Sequence, residues 1–227
     1  MEQINWHNPL MKITPYIFKI KTPSVSGTGF QIFYSEKTNF LGIATADHVI
    51  SHEDDWEEPI RIIHHQSGKS VLLKHNDRTI TRYPEKDVAF ILFKNKDLPI
   101  IPKPLDLIDK DEILQQGFEV GWCGFPSVAA NDLCFFSGHI SCHIPKEESY
   151  LVDGVAINGV SGGPVFYADK NGEPKFSGII SAYVPNRATG ETLPGLCVMR
   201  SIGSYQHILQ DLKSIEKKIV KKGTKKT

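Results

Sequence analysis

Short β-type segments, separated by turn residues at close intervals, most restrict the fold that this chain can adopt. Alternating, β-branched or aromatic runs cover residues 16–21, 27–34, 40–45, 60–63, 70–73, 88–93, 118–123, 134–144, 150–157, 164–167, 176–184 and 195–200. Glycine, proline, asparagine and aspartate lie between them. Many short strands at this spacing are typical of an antiparallel sandwich or barrel and not of a parallel sheet. We therefore predict an all-β fold.

The chain divides into two halves of similar size and a short C-terminal segment. Residues 94–104 are rich in lysine and proline, which predicts an extended connector. In the last 25 or so residues apolar side chains recur at helical spacing among lysines, which predicts an amphipathic helix with a basic end. We expect a first barrel over 1–103, a second over 104–202, and the helix and tail over 203–227. The pair Asn171-Gly172 predicts a tight hairpin in the second half.

The overall composition excludes several classes of protein. The 227 residues carry 26 basic and 26 acidic side chains, for a formal net charge of +0. This balance provides no global attraction to nucleic acid, so we do not expect a nucleic-acid partner. No window approaches 18 consecutive apolar residues, so we expect no membrane-spanning helix. The first residues lack the basic start and apolar core of a secretory signal. We therefore expect a cytoplasmic protein with its four cysteines reduced.

The most specific string in the chain is Gly-Val-Ser-Gly-Gly-Pro at residues 159–164. Glycines allow backbone angles and close approaches that a Cβ would forbid, so a tight turn here pushes one serine hydroxyl outward. Two amides of such a turn can point to one spot and stabilise a developing oxyanion. An ordinary glycine loop that happens to contain a serine is the alternative interpretation.

A nucleophilic serine needs a base, and the base needs a group that orients it. His48 lies where the hydrophobic run of residues 42–46 gives way to a polar end. Asp87 directly precedes the apolar run of residues 88–93 and is the candidate orienting carboxylate. Asp47 is a rival, but sequence neighbours on a turn seldom face each other. Taken alone, each of these residues has an ordinary structural explanation, and their order along the chain increases their weight.

With these motifs the sequence resembles the trypsin-like (chymotrypsin-fold) serine peptidases, and among them the compact bacterial members in particular. In that family Thr-Ala-x-His carries the base, Asp followed by an aliphatic residue and Ala carries the orienting acid, and Gly-x-Ser-Gly-Gly-Pro carries the nucleophile. Residues 45–48, 87–89 and 159–164 match in type and order. The strand at 27–30 and the segment at 121–126 also fit. The resemblance spans roughly residues 15–210.

The resemblance implies both a fold and a set of roles. The fold is all-β, with two six-stranded antiparallel β-barrels and a C-terminal α-helix. His48 is implied as the general base, Asp87 as its orienting acid and Ser161 as the nucleophile of a serine endopeptidase. The amides of Gly159 and Ser161 are implied as the oxyanion hole. The implied partner is a peptide or protein substrate.

The resemblance also outlines a specificity pocket. The expected substrate-binding residues are Val155, Asn158, Ser181, Ala182, Tyr183 and Gly195. Trypsin carries an aspartate six residues before its serine, and this chain carries Val155 there. A buried Arg or Lys would lack a counter-charge, so we expect apolar residues at P1, the substrate residue before the cleaved bond.

A second departure from the family concerns activation. Pancreatic-type members carry an aspartate directly before the serine, where it pairs with a newly freed N-terminal ammonium. Val160 stands at that position. We therefore expect a site that is built constitutively, or one that a regulatory protein partner shapes.

Three alternatives follow from individual motifs. Cys134, His139, Cys142 and His143 raise the alternative of a structural zinc site. Alternating strand residues explain their spacing equally well, so we expect no metal and no cofactor. Residues 159–163 also match the Gly-x-Ser-x-Gly motif of an α/β-hydrolase-type esterase. That fold, however, needs a helix after the serine and the catalytic residues in the order Ser, Asp, His. Only His207 follows Ser161. A peptidase fold that binds without cleaving is the remaining alternative.

Overall fold

The computed structural model describes residues 5–109, 111–185, 192–203 and 210, and these contain two short α-helices and thirteen strands. The helices are α1 His7–Ile13 and α2 Ser51–Asp55. The strands of the first half are β1 Ile17–Lys21, β2 Ser26–Ser35, β3 Phe40–Thr45, β4 Ile60–His64, β5 Ser70–Leu73, β6 Arg78–Tyr83 and β7 Val88–Lys94. Those of the second half are β8 Glu119–Gly124, β9 Cys134–Ile144, β10 Ser149–Asp153, β11 Pro164–Ala168, β12 Pro174–Pro185 and β13 Thr192–Ser201.

The first half forms one antiparallel sheet in the order β5-β4-β1-β2-β3-β7-β6. Strands β3 and β7 are apolar along most of their length, and both are buried almost throughout. Their side chains form a core with β1 and β4, in which Phe18, Leu41, Ile62 and Ile91 are almost inaccessible to solvent. The sheet curls around this core because a half-buried apolar face must be covered.

This first sheet differs from the predicted six-stranded barrel in being partly open. Its two edge strands, β5 and β6, follow each other in the chain and are separated by a 3-10 turn at His75–Asp77. The Asp77 carboxylate accepts a hydrogen bond from the Lys74 amide (3.1 Å) and so stabilises the turn. The turn separates β5, which pairs with β4, from β6, which pairs with β7, and the two edge strands do not pair with each other.

Strand β6 was not predicted from the sequence. Its burial alternates between partly buried and exposed positions, and its outward residues Thr79 and Thr81 are polar. Ile80 is the residue of this strand that packs against the core of the first sheet. Too few apolar residues were available to produce a strand pattern, and pairing with β7 stabilises the segment instead.

The second half is a closed six-stranded barrel in the order β10-β13-β12-β11-β8-β9. Trp122, Phe166, Phe176 and Met199 are fully buried inside it. The same core continues into the first sheet, where Phe30 stacks on Phe176 with ring centroids 5.4 Å apart. The two β-units therefore share a packed interface.

The N-terminal helix packs against the second barrel, although it precedes the first sheet in the chain. Trp6 donates from Nε1 to Glu119 (2.9 Å) and packs against Phe135 and Phe166. Within the described part of the chain, no helix has the length and apolar character needed to cross a bilayer.

The prediction of an all-β, two-barrel fold is confirmed, with the first barrel partly open. The predicted C-terminal helix lies outside the described residues, apart from residues 203 and 210. The predicted hairpin joins β11 to β12, but its loop spans residues 169–173 and is wider than expected. Gly172 takes a positive φ of 73°, whereas Asn171 donates its amide to the Asp169 carboxylate (2.7 Å).

Candidate active site

His48 lies just beyond the end of β3, on a 3-10 turn at Asp47–Val49. The Thr45 hydroxyl donates to the Thr28 carbonyl (2.7 Å) at the last residue of the strand. The Ile50 amide then donates to the Asp47 carbonyl (3.0 Å), which closes the turn. The His48 side chain is about half exposed, so the ring can reach a substrate.

Asp87 occupies a left-handed backbone conformation, with φ 49° and ψ 48°, after a 3-10 turn at Pro84–Lys86. Aspartate is among the few residues with a Cβ that are enriched in this region. Strand β7 begins at the next residue and pairs with β3, with Thr45 opposite Ala89. This register places Asp87 beside the turn that carries His48.

The Asp87 carboxylate holds His48 at two points. The His48 Nδ1 atom lies 2.9 Å from each carboxylate oxygen, and the His48 amide donates to Oδ1 (3.0 Å). With a carboxylate on Nδ1, the neutral ring keeps its proton there and leaves Nε2 as the basic atom. The predicted pairing of His48 with Asp87 is thus present as geometry.

Contacts between these two side chains shift both pKa values. The hydrogen bond to Asp87 raises the pKa of His48 above its ordinary value, against the opposing effect of burial. Burial disfavours the charged form of Asp87, but the hydrogen bonds and charge of His48 together with the Ser181 hydroxyl lower the pKa of Asp87 overall. Asp87 therefore remains ionised at neutral pH.

Ser181, expected in the specificity pocket, has its hydroxyl on Asp87. The hydroxyl donates to Oδ2 (2.5 Å), and the residue is 1% exposed. Its side chain thus orients the carboxylate from the second barrel. Nothing in the sequence around Ser181 indicates this contact, since 94 residues separate the two partners.

Asp47, the rival to Asp87, is bound to a different cation. Arg82 on β6 donates from Nε to Asp47 Oδ1 (2.6 Å) and from Nη1 to Asp55 Oδ1 (2.6 Å). Asp47 is buried. Its negative charge raises the pKa of His48 less than the hydrogen bond and charge of Asp87 do. Sequence reasoning missed Arg82 because it lies on the strand that was not predicted.

The serine loop, residues 157–163, carries Ser161 and depends on two glycines with positive φ. Gly159 has φ 94° and Gly162 has φ 83°. A Cβ on Gly159 would lie 2.2 Å from the Phe125 carbonyl oxygen, and one on Gly162 would lie 2.1 Å from the Thr28 carbonyl oxygen. Both distances are far inside van der Waals contact, so this loop accepts only glycine at these positions.

Within the described residues, four amides of the serine loop have no hydrogen-bond acceptor in the protein, those of Ile157, Asn158, Gly159 and Ser161. The amides of Val160, Gly162 and Gly163 donate to the carbonyls of residues 157, 180 and 160 at 2.8–3.0 Å. In the described part of the chain, the amides of Gly159 and Ser161 donate to no protein group. These are the two amides that the sequence analysis assigned to the oxyanion hole.

The serine loop lies directly against the segment that leads to His48. The Thr28 amide donates to the Ser161 carbonyl (2.9 Å), and a Cβ on Gly162 would lie 2.9 Å from the Ala46 amide nitrogen. Among the described residues, no hydrogen bond joins the Ser161 hydroxyl to the His48 ring. Catalytic hydrogen bonds of this type are often long in ligand-free enzymes and tighten when substrate binds.

The expected pocket residues fall into two groups. The segment of Val155 and Asn158 is exposed and lies beside Gly195, whose carbonyl accepts from the Gly154 amide (2.8 Å). Ala182 and Tyr183 lie on β12 and pair with residues 198 and 197 of β13, and their side chains lie outside the described residues. The structure thus places the backbones of these segments side by side.

The cysteine and histidine residues weighed for zinc lie along a single strand, β9. The His139 Nδ1 atom lies 3.5 Å from the Asp153 Oδ1 atom. No group of three or more His, Cys, Asp or Glu in the described ranges has a metal-binding arrangement.

The half-barrel of the first sheet carries the His48–Asp87 pair, and the closed barrel carries Ser161 on its glycine-rich loop. This arrangement is that of the chymotrypsin-type fold. A strand, β11, follows Ser161, whereas an α/β-hydrolase needs a helix at that point. A model of the trypsin-like peptidase domain matches residues 27–173. The chain therefore belongs to the family of trypsin-like peptidase domains, as its sequence motifs indicated.

Solved structures support the same fold. The crystal structure of an inactive form of the Rv3671c protease is similar with a TM-score of 0.61 and 19% identity, over 92% of this chain and 93% of that chain. An inactive serine-to-alanine mutant of Rv3671c from M. tuberculosis H37Rv has a TM-score of 0.61 and 18% identity, over 93% and 92% of the two chains. Comparison with curated proteins finds no match.

Proposed function

We propose that this peptidase is a serine endopeptidase in which His48, Asp87 and Ser161 form the catalytic triad. The observation that carries the proposal is the Asp87 carboxylate on His48 Nδ1, at 2.9 Å, together with a serine loop in which the amides of Gly159 and Ser161 have no acceptor among the described residues. This arrangement leaves Nε2 of His48 as a base on the side opposite Asp87. It also provides donors for an oxyanion beside the hydroxyl of Ser161.

The proposed reaction proceeds through an acyl-enzyme. The Ser161 Oγ atom attacks the carbonyl carbon of the peptide bond while its proton passes to His48 Nε2. The carbonyl oxygen becomes an oxyanion, which the amides of Gly159 and Ser161 bind. The C–N bond breaks as His48 returns the proton to the leaving amine. A water molecule then attacks the acyl group by the same proton transfers and frees Ser161.

Removal of the nucleophile tests this function. Purified Ser161→Ala is expected to lose hydrolysis of a peptide library and covalent labelling by a fluorophosphonate probe, with an unchanged melting temperature. Ser137→Ala, which alters an exposed serine on β9, is the matched control and is expected to behave as the parent. A parent protein that binds peptides but neither cleaves them nor reacts with the probe would support the binding module and refute the endopeptidase.

We further propose that the site forms without a freed N-terminus. Val160, which stands in place of the activating aspartate, is fully buried in the core of the second barrel. An ammonium group has no charge partner there, whereas apolar packing holds the loop directly. The full chain is therefore expected to be active as synthesised, and a peptidase that gains activity only after cleavage of its N-terminal residues would contradict this.

The proposed P1 preference is for apolar residues. Val155 supplies no charge to the pocket segment, and the carboxylate of Asp153 accepts a hydrogen bond from the His139 amide, outside that segment. A buried Arg or Lys side chain without a counter-charge suffers a desolvation cost of several kcal/mol. Leu, Val or Phe at P1 loses no such hydration.

The P1 proposal is tested in one fixed peptide with only P1 varied. The parent is expected to cleave Leu, Val or Phe variants faster than Arg or Lys variants, and Val155→Asp is expected to introduce cleavage after Arg and Lys. Val25→Asp, which adds the same charge at another exposed valine, is expected to leave the preference unchanged. Faster cleavage after Arg by the parent enzyme would refute the proposed pocket.

A further inference from the structure

Every backbone carbonyl of the serine loop from Asn158 to Ser161 has a hydrogen-bond donor. In chain order, the donors are the Ser127 amide (2.7 Å), the Thr28 hydroxyl (2.8 Å), the Gly163 amide (2.9 Å) and the Thr28 amide (2.9 Å). One of the four donors belongs to the loop itself. The others come from β2 of the first sheet and from the turn that follows β8.

These carbonyl contacts determine where the free amides point. In a planar trans peptide, the N–H and the C=O point in opposite directions. The Gly159 amide shares its peptide plane with the Asn158 carbonyl, which the Ser127 amide holds. The Thr28 hydroxyl holds the next peptide plane through the Gly159 carbonyl. Rotation of either plane would break a hydrogen bond to a group outside the loop.

Thr28 is placed to connect three segments. It is fully buried, and its hydroxyl accepts a hydrogen bond from the Phe125 amide (3.1 Å) while it donates to the Gly159 carbonyl (2.8 Å). Its amide donates to the Ser161 carbonyl (2.9 Å). One side chain of the first sheet thus links the turn after β8 to the serine loop of the second barrel. Filling this space would not by itself require a hydroxyl that both donates and accepts a hydrogen bond.

We infer that Thr28 is a positioning residue for the oxyanion site, together with the backbone amide of Ser127. The inference rests on the proposed endopeptidase function. Thr28 does not touch the reacting atoms. Its hydroxyl holds the Gly159–Val160 peptide plane, which lies between the planes of the Gly159 and Ser161 amides, and so it limits rotation of both. The Ser127 amide holds the plane of the Gly159 amide itself. The Thr28 hydroxyl is therefore required in the transition state, where the oxyanion exists, more than in substrate binding.

The first test removes the hydroxyl without changing the shape of the side chain. Removing an oxyanion donor lowers kcat by about 10²–10³, so misdirecting one by Thr28→Val is expected to lower kcat by roughly 10–100-fold. KM and the acid limb of the pH profile are expected to stay unchanged, because neither depends on this amide. Thr28→Ser retains the hydroxyl and is expected to restore most of kcat. Equal losses in both variants, or a loss confined to KM, would overturn the inference.

The second test removes the Ser127 amide. Pro126 has ψ 144° and Ser127 begins a 3-10 turn, so the backbone angles at this position suit proline. The proline Cδ atom would press against the Asn158 carbonyl oxygen, which lies 2.7 Å from the Ser127 nitrogen, and so would also displace that peptide. Ser127→Pro deletes the N–H that holds the Asn158 carbonyl and is expected to lower kcat at least as much as Thr28→Val. Ser127→Ala keeps the N–H and is expected to match the parent. This pair also decides the question if Thr28→Val does not fold.

Two readouts separate this inference from the proposed function. Hydrolysis by the parent and its loss in Ser161→Ala test the function without reference to Thr28. The ¹⁵N chemical shifts of the Gly159 and Ser161 amides test the positioning without reference to turnover. These shifts are expected to change in Thr28→Val and not in Thr28→Ser. Unchanged shifts with unchanged kcat in Thr28→Val would refute the positioning role alone.

Discussion

At the scale of single residues, two neighbouring carboxylates have different partners. Asp87 accepts hydrogen bonds from the ring and amide of His48 and from the Ser181 hydroxyl. Asp47, adjacent to His48 in sequence, is bound by Arg82 (2.6 Å). Both carboxylates lie near the imidazole, but only Asp87 touches it. The effect of neutralising each one therefore differs in kind.

Asp87→Asn is expected to lower kcat by about 10⁴, because an amide stabilises the wrong tautomer of the histidine, as in the template triad enzyme. Asp47→Asn is expected to leave kcat of the folded enzyme within tenfold of the parent value, a change in activation free energy of about 1.4 kcal/mol or less. It is expected instead to lower the free energy of unfolding by about 1.5–3 kcal/mol, because the partly buried Arg82 loses a charged hydrogen-bond partner while it keeps Asp55. Steady-state kinetics on titrated active sites and urea unfolding measure the two effects. Equal losses of kcat would assign the orienting role to both residues.

The raised pKa of His48 predicts the pH dependence of activity. The proposed base acts only when neutral, so activity is lost as the pH falls through its pKa. Because the hydrogen bond to Asp87 raises this pKa above the ordinary value of 6.5, the acid limb of kcat/KM is expected above pH 6.5. Titration of the His48 ring by NMR is expected to give the same midpoint, and a lower one in Asp87→Asn. A midpoint at or below 6.5 in the parent would contradict the assignment.

At the scale of elements, the serine loop is shaped by close backbone contacts more than by its own side chains. Gly162 passes between the Thr28 carbonyl and the Thr45 hydroxyl, where a Cβ would lie 2.1 Å and 2.2 Å from these groups. Gly172, in the loop between β11 and β12, also has a positive φ of 73°, but nothing lies within 4 Å of its Cβ position. The two glycines separate the effect of backbone conformation from that of space.

Gly162→Ala is expected to cost about 3 kcal/mol of unfolding free energy, from left-handed strain of about 1–2 and overpacking of about 1–3. It is also expected to abolish hydrolysis, since the loop must shift. Gly172→Ala is expected to cost about 1–2 kcal/mol, the strain alone, with full activity. Urea unfolding followed by tryptophan fluorescence measures both. A cost in Gly162→Ala no larger than in Gly172→Ala would mean that the loop relaxes without penalty.

At the scale of the whole molecule, the site exists only where the two β-units meet. His48 and Asp87 belong to the first sheet, whereas Ser161 and Ser181 belong to the second barrel. The stacked pair Phe30 and Phe176 lies in the core that joins them. The N-terminal segment crosses the same boundary, because Trp6 packs on the second barrel before the chain enters β1 of the first sheet.

Trp6→Ala is expected to destabilise the protein although it lies near the start of the chain. Truncating a core tryptophan costs about 3–5 kcal/mol, and the partly buried Trp6 is expected to cost about 2 kcal/mol. Trp56→Ala, which removes a tryptophan that is 71% exposed, is expected to cost less than about 0.5 kcal/mol. Thermal unfolding measures both. Equal shifts in the two variants would mean that Trp6 contributes little to the second barrel.

The positions of most strands followed from local sequence alone. The runs at 40–45, 70–73 and 134–144 coincide with β3, β5 and β9, because alternation of side chains across a strand is a property of adjacent residues. The glycines of the serine loop were also recognisable, because they belong to the specific string at residues 159–164. Gly159 and Gly162 in fact have positive φ, which excludes most other residues. His48 and Asp87 were identified by type and order, and the structure then placed them 2.9 Å apart.

The tertiary structure decided the contacts that join distant parts of the chain. Strand β6 forms through pairing with β7, and the Trp6 ring, just before α1, packs on rings of the second barrel. The partner of the Ser181 hydroxyl, 94 residues away, and that of the Gly159 carbonyl, 131 residues away at Thr28, left no trace in the local pattern. Hydrophobic periodicity reports which face of a segment is buried. It contains no information on which polar group lies opposite, because that depends on how two independently formed surfaces dock.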